Sequence, residues 1–202
     1  MKKAGNIWLP DKDSFFTNKL DYELHDFKLA MTHPTNFRVA IDIGAHVGFW
    51  SCRLAEKFQT VLSFEPIPDH FECLQKNTEN LLNNQIFNVA LSNTEKQVFM
   101  SQAFENSGMS SVIDEETNLC IDAKTLDSFN LNDIDFIKID VEGHEHEVLE
   151  GAKDTLNRCR PVLFIEVLNA NTATSPVFST LSSWGYTQAA KVQENYIFVN
   201  RG

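Results

Sequence analysis

The chain has 202 residues, the length of a single domain, and its 43% apolar residues, 16 of them Phe, can fill a sizeable core. A net charge of −11 and the lack of a Lys/Arg stripe exclude a partner held by its phosphate backbone, because counterion release needs a basic face. The longest apolar runs, such as 162–165, are too short to span a bilayer, and no apolar leader follows Met1-Lys2-Lys3. No nucleic acid and no membrane are therefore expected as partners, and the expected compartment is cytoplasmic. Cys52, Cys73, Cys120 and Cys159 lack a C-x-x-C pair and sit in apolar contexts, which reads as buried free thiols in a reducing environment.

In chain order, residues 1–37 read as a helical or lid segment and 38–202 as one ligand-binding domain. Trp8-Leu9-Pro10-Asp11 reads as a loop, with Trp8 either packed down or covering a pocket. Phe16, Leu20, Leu24 and Phe27 suggest one amphipathic helix, and His33-Pro34-Thr35 a turn into the first strand. The apolar run 39–43 has the pattern of a strand buried on both faces, followed by a helical stripe of Val47, Ser51, Leu54, Ala55 and Phe58. A second buried strand, 61–64, ends at Glu65-Pro66. Phe71, Leu74, Thr78, Leu81 and Leu82 mark a helix, and 86–91 a third strand.

From 92 to about 133 the alternation breaks into short strands at 97–100 and 119–122 around a polar loop, Gly108-Met109-Ser110-Ser111. That stretch is too long for a structureless connection and reads as a functional insertion. Regular alternation returns with strand 136–140, a helix carrying Val148, Leu149, Ala152 and Leu156, and strand 161–167. Ser175-Pro176 opens a helix that Gly185 stops, and 186–190 with 196–200 form an antiparallel ending.

Repeated β-α-β units imply a parallel sheet, and ligands of such sheets bind beyond the carboxyl ends of the strands. The polar residues Asp42, Glu65, Asn88, Asp140 and Glu166 all fall at such ends. The first loop, Asp42-Ile43-Gly44-Ala45-His46-Val47-Gly48, has two glycines that allow tight turning, but an acid at the strand end that would repel a pyrophosphate. That acid suits an ammonium or sulfonium, and Glu65 is placed to grip ribose hydroxyls. The pattern selects an adenosine ligand without phosphates, S-adenosylmethionine; the bland alternative is a helix-capping loop with two fold-maintaining glycines.

The stretch Ala40-Ile41-Asp42-Ile43-Gly44-Ala45-His46-Val47-Gly48-Phe49 resembles the first motif of the FkbM family of S-adenosylmethionine-dependent methyltransferases. Phe64-Glu65-Pro66, Asn88-Val89-Ala90-Leu91-Ser92, Gly108-Met109-Ser110-Ser111 and Thr125-Leu126-Asp127 resemble later blocks in order. So do Asp135 through Glu145, Val148 through Ala152, and Pro161 through Val167. The resemblance runs from Val39 to about Asn169; His144 and His146 depart from it. It implies an α/β, class I methyltransferase (Rossmann-like) fold. Such a fold has a mostly parallel seven-stranded sheet, helices on both faces and a C-terminal antiparallel hairpin. It also implies O-methylation of a hydroxyl on a sugar, glycan or related small molecule. The cofactor-binding set is then Asp42, Gly44, Ala45, His46, Gly48, Phe49, Glu65, Pro66, Asn88, Val89, Ala90, Ser110, Ser111 and Asp140.

Methyl transfer to an alcohol needs two partners held in line and a base for the departing proton. Asp140, Glu142 and His144 are the catalytic candidates, with Asp140 holding the ammonium and Glu142 or His144 taking the proton. A magnesium ion on Asp140 and Glu166 is left undecided. The run His144-Glu145-His146-Glu147 is not H-E-x-x-H, and two such histidines generally face apart rather than share zinc. Acidic residues here also suit a helix N-terminus. Ser110 and Ser111 cover the adenosine or form an ordinary turn; His25, His33 and His70 read as surface or turn residues, and Lys138 has no assigned role. Two alternatives stay open: a non-catalytic cofactor-binding module, and an NAD(P)-dependent oxidoreductase, disfavoured by the missing third glycine. A second copy of the chain, as a homodimer, also stays open as a partner.

Overall fold

The computed structural model describes residues 1–19, 21–168 and 175–202. It begins with a small antiparallel hairpin, β1 (Lys2–Ala4) and β2 (Ile7–Leu9), where the sequence suggested a loop. The hairpin is held on the body of the protein by Asn77, whose side-chain oxygen accepts from the Trp8 N–H at 2.7 Å. Trp8 is thus packed rather than placed over a pocket. The single helix expected over Phe16 to Phe27 is instead a 3₁₀ turn, Phe16–Asn18, and a separate α1 (Leu24–Ala30); Leu20 lies outside the described residues.

β3 (Val39–Ile43), α2 (Phe49–Ala55), β4 (Thr60–Phe64), α3 (Pro68–Thr78) and β5 (Asn84–Phe87) follow as expected in kind. α3 stops at Thr78, so Leu81 and Leu82 are beyond it, and Leu82 is fully exposed. The expected third strand divides: β5 joins the main sheet, and β6 (Ala90–Leu91) joins a second one. Asn88 marks the division, donating its side-chain amide to the carbonyls of Glu65 and Pro66, each at 2.9 Å.

The inserted region forms β7 (Lys96–Ser101), β8 (Ser111–Ile113) and β9 (Cys120–Lys124), which complete a four-stranded sheet in the order β6-β9-β7-β8. Ile67, Ala90, Val98, Met100 and Ala123 pack as a separate apolar cluster beneath it. Cys120 is exposed on β9, and only Cys73 is fully buried; none of the four cysteines is disulfide-bonded.

The chain then returns through β10 (Ile134–Ile139), α4 (Glu145–Glu150), α5 (Lys153–Cys159), β11 (Val162–Glu166), α6 (Pro176–Ser183), β12 (Thr187–Val192) and β13 (Asn195–Val199). The one helix expected after β10 is two. A Cβ on Gly151 would lie 2.0 Å from the Ser92 carbonyl oxygen, so the chain bends where it passes that backbone. Asp127 then caps α5 from outside, accepting from the N–H groups of Asp154 and Thr155 at 3.0 and 2.8 Å.

The main sheet has the order β5-β4-β3-β10-β11-β13-β12; β13 is antiparallel to β11 and β12, and the other pairings are parallel. Alternate residues feed two cores. Ile41, Ile43, Ile137, Ile139, Leu163 and Ile165 join the cluster that includes Val148, Leu149 and Leu181. Ala40, Phe136 and Phe164 join Phe27, Trp50 and Leu54 on the opposite face. This two-sided burial is why the strands read as continuous apolar runs. Connections run outward from β3 to β5 and resume at β10 on the other side of β3, which sets the switch point between β3 and β10.

Candidate active site

A cavity of about 290 Å³ opens at that switch point, at the lower end of the roughly 300–1,000 Å³ usual for ligand sites. The β3–α2 loop enters it by a tight route. Gly44, at φ +74, runs so close to β10 that a Cβ would lie 1.8 Å from the Asp140 carbonyl oxygen. Gly48, at φ +97, packs on Leu74 of α3 and does not line the cavity. These glycines thus serve packing between elements before they serve any ligand. His46 adopts φ +51 between them, and Glu23 and Glu142, also on the cavity wall, stand at φ 52 and 53. Left-handed backbone at non-glycine residues costs on the order of 1–3 kcal/mol each, and such residues gather at functional sites.

One end of the cavity is organised by Glu65 at the end of β4. Its carboxylate accepts from the His46 N–H and the Ile67 N–H, both at 2.8 Å, and His70 Nδ1 lies 3.5 Å away. Pro66, Ile67, Val89, Ala90 and Met100 supply an apolar wall beside it. Gly44, Ala45, His46 and Phe49 line the same region as expected, and so does Ser110, whose hydroxyl bonds the Ser107 carbonyl and the Ala103 N–H.

Besides Gly48, three expected residues are used elsewhere. Asp42 is wholly buried beneath the loop, accepting from Ser51 Oγ at 2.6 Å, with Lys138 Nζ 3.5 Å from its other oxygen. It is outside the cavity lining because its side chain projects into the sheet's covered face, where burial raises its pKa. Asn88 spends its amide on the strand-end staple, and Ser111 pairs with Ser101 in the second sheet.

The opposite end is crowded with acids. Asp140 follows β10, Glu166 ends the neighbouring β11, and the parallel register Ile139↔Ile165 sets them side by side. Glu142 joins them, and one oxygen from each lies within 4.8 Å of the others. Burial first, and then Asp140, push Glu166 up to about 9 and Glu142 up to about 7. Glu23 closes the group, its carboxylate accepting from Trp50 Nε1 at 2.7 Å, and burial also raises its pKa.

The counter-charge is Lys138, which the sequence left without a role. Its ammonium donates to the Gly44 carbonyl at 2.8 Å and lies 3.1 Å from Asp140. Burial works against that charge, but Asp140, Asp42 and Glu23 outweigh it and raise the lysine's pKa. The sequence signal was a lysine inside an apolar strand, two residues before Asp140 on the same face; the register that sets it opposite Asp42 came only with the structure.

His144 also lines the cavity, with Nε2 2.9 Å from Ser92 Oγ, and burial lowers its pKa. His146 turns away to Thr180 of α6 at 3.2 Å, so the two histidines do face apart. Glu145 is a cap: its carboxylate accepts from the Gly143 N–H at 2.8 Å.

The roof comes from two distant segments. Phe15, Phe16 and Tyr22 line the cavity from the N-terminal side, and Asn106, Ser107, Gly108 and Met109 from the insertion. Wholly buried Asp13 latches them, accepting from the Ser107 N–H at 3.0 Å, Ser107 Oγ at 2.5 Å and the Phe16 N–H at 2.9 Å. Ser107 Oγ in turn lies 2.6 Å from His46 Nε2, and burial holds that imidazole well below its ordinary pKa. Because the Ser107 hydroxyl gives its proton to Asp13, it accepts from His46, the wrong direction for a nucleophilic serine.

Strand order, switch-point cavity and strand-end acids together define the class I methyltransferase architecture. Residues 42–187 match the family model for the methyltransferase FkbM domain, and the chain belongs to that family. A curated relative, Methyltransferase 1 of Beauveria bassiana, is 26% identical over 144 residues, 56% of this chain and 58% of that protein. Among solved structures, a methyltransferase FkbM from Methylobacillus flagellatus is 18% identical with a TM-score of 0.59, over 81% of this chain and 43% of that one. A precorrin 8w decarboxylase from Methanobacterium thermoautotrophicum, 14% identical with a TM-score of 0.57, aligns over 99% of this chain and 100% of its own. The chain thus spans little more than half of the curated relative and less than half of the FkbM structure, and these structural likenesses speak for the fold alone. Among the described residues, no helix is long and apolar enough to cross a membrane.

Proposed function

We propose that this chain is an S-adenosylmethionine-dependent O-methyltransferase whose acceptor is a hydroxyl of a sugar, glycan or related small molecule. The observation that carries the reading is the division of one cavity into a pre-paired carboxylate beside an apolar wall and a crowd of acids beyond it. The residues fit the cofactor's chemistry. A carboxylate has about four acceptor directions; backbone N–H groups occupy two of those of Glu65 and His70 Nδ1 faces one oxygen at 3.5 Å, which leaves acceptor capacity for a ribose hydroxyl. Ile67, Val89 and Met100 suit an adenine face, and the acids around Asp140 suit the ammonium and sulfonium.

Bound S-adenosylmethionine supplies an electrophilic methyl group. The chain's own residues do the rest by positioning and proton removal. Asp140, fixed by Lys138, holds the ammonium. Glu142, with a pKa near neutrality, takes the acceptor's proton, and His144, tied to Ser92, orients the acceptor beside it. The segment 1–37 acts as part of the roof over the domain formed by 38–202.

Asp140, Glu142 and Glu166 are also the residues that would hold a magnesium ion, which would polarise the acceptor oxygen. That reading is weaker, because Lys138 Nζ, 3.1 Å from Asp140 Oδ2, already engages a carboxylate oxygen, and a divalent ion needs several oxygen ligands where an ammonium needs only single acceptor directions.

The test pairs binding with turnover. S-adenosylmethionine should raise the melting temperature while NAD leaves it unchanged. Mass spectrometry over a panel of hydroxylated acceptors should then find the gain of one methyl group on oxygen. Equal shifts from both nucleotides sink the cofactor assignment, and binding without transfer to any acceptor favours a non-catalytic module.

A further inference from the structure

α3 carries a buried side chain with one ring nitrogen that no described residue satisfies. His70 is 2% exposed and lines the cavity, contrary to its reading as a surface residue. Its Nδ1 lies 3.5 Å from Glu65 Oε1, and its ring meets the His46 ring edge-on at 4.8 Å. Its Nε2 is buried with no hydrogen-bond partner among the described residues. A buried polar atom left unpaired costs about 1–3 kcal/mol, so a native fold that keeps one generally has a use for it.

The neighbours decide what that atom can take. The Glu65 carboxylate faces Nδ1, so the ring proton belongs there and Nε2 is left as an acceptor. His46 offers it nothing, because the His46 Nε2 proton goes to Ser107. Glu65 has already given one acceptor direction on each oxygen to a backbone N–H. A nucleoside diol seated at Glu65 presents two hydroxyl donors to a site with reduced acceptor capacity.

We propose that His70 is a second nucleoside-binding residue, whose Nε2 accepts one ribose hydroxyl while Glu65 accepts the other. The pair thereby selects a ligand with an intact ribose diol. This rests on the cofactor reading above and adds a residue to it.

The test is calorimetric binding of S-adenosylhomocysteine and of its 2′-deoxy and 3′-deoxy analogues to the full chain, as wild type, His70→Phe and His70→Gln. Loss of one such hydrogen bond weakens binding by about tenfold. His70→Phe should bind S-adenosylhomocysteine about that much more weakly, with one deoxy analogue no longer penalised relative to the parent. His70→Gln, whose amide oxygen falls near the place of Nε2, should bind within about threefold of wild type. Unliganded His70→Phe should melt close to wild type, since it removes the unpaired Nε2 together with only a long contact, 3.5 Å, from Nδ1 to Glu65; His70→Leu replaces it if it does not fold. Unchanged affinity in His70→Phe overturns the proposal, and so does a loss that leaves both deoxy penalties intact. Wild-type protein that ignores S-adenosylhomocysteine overturns the cofactor reading itself, and this one with it.

Discussion

The two ends of the cavity hold carboxylates in opposite states. Glu65 is buried yet satisfied, each oxygen taking a backbone N–H, so its orientation is fixed before any ligand arrives. Asp140, Glu142 and Glu166 are packed against one another with Lys138 as the buried cation among them, and two of the three have strongly raised pKa values. A satisfied carboxylate is suited to holding a neutral diol in one place. A crowded set, able to carry or release protons near neutrality, is suited to a cation and to proton transfer. On the function proposed above, binding and chemistry would be separated along the cavity by how each acid is paired.

The harshest way to break that contrast is Lys138→Met. It leaves Asp42 and Asp140 without their counter-charge, and removing one partner of a buried pair costs on the order of 3–5 kcal/mol. Urea unfolding should show that loss; a stability within error of wild type would mean the acids do not depend on the lysine.

Next in size, Glu65→Ala should weaken S-adenosylhomocysteine binding by roughly 100-fold, the cost of a charged hydrogen-bonding hub. Glu142→Gln should bind it normally and lower kcat by about 10²–10⁴, the usual worth of a general base. Similar binding losses in both variants would erase the distinction between the two ends.

The smallest effect is on the pH dependence of stability. Burial first, and then Asp140, push Glu166 from its ordinary 4.5 up to about 9, so the folded state binds the extra proton. Its contribution is therefore full below pH 4.5 and lost as pH rises through 9. Glu166→Gln should flatten the decline in melting temperature over that window by about 2–4 °C, a modest figure because the side chain is only partly buried. An unchanged slope would show that the cluster is not strained by its own charge.

His70 and Lys138 show why some of the site was hidden. A lone histidine on a helix gives no clue to its depth, since burial depends on which face of α3 meets the sheet. Lys138 inside an apolar strand was a visible anomaly, but its partners lie on β3 and beyond β10, and only register brings them together. Asp42 shows the converse: its place at a strand end was read correctly, yet the alternation of the strand sends its carboxylate beneath the loop, onto Ser51.

The sequence by itself determined the alternation of buried strands and helices, the antiparallel pairing of the final two strands, and the acids and glycines that fall at strand ends. These are local consequences of hydrophobic period and turn chemistry. The tertiary structure alone decided which strand ends adjoin, that Asp13 and Ser107 latch two remote segments into a roof, and which carboxylates meet backbone N–H groups and which meet each other. Those outcomes depend on register and on contacts across dozens of residues, for which a one-dimensional pattern carries no coordinate.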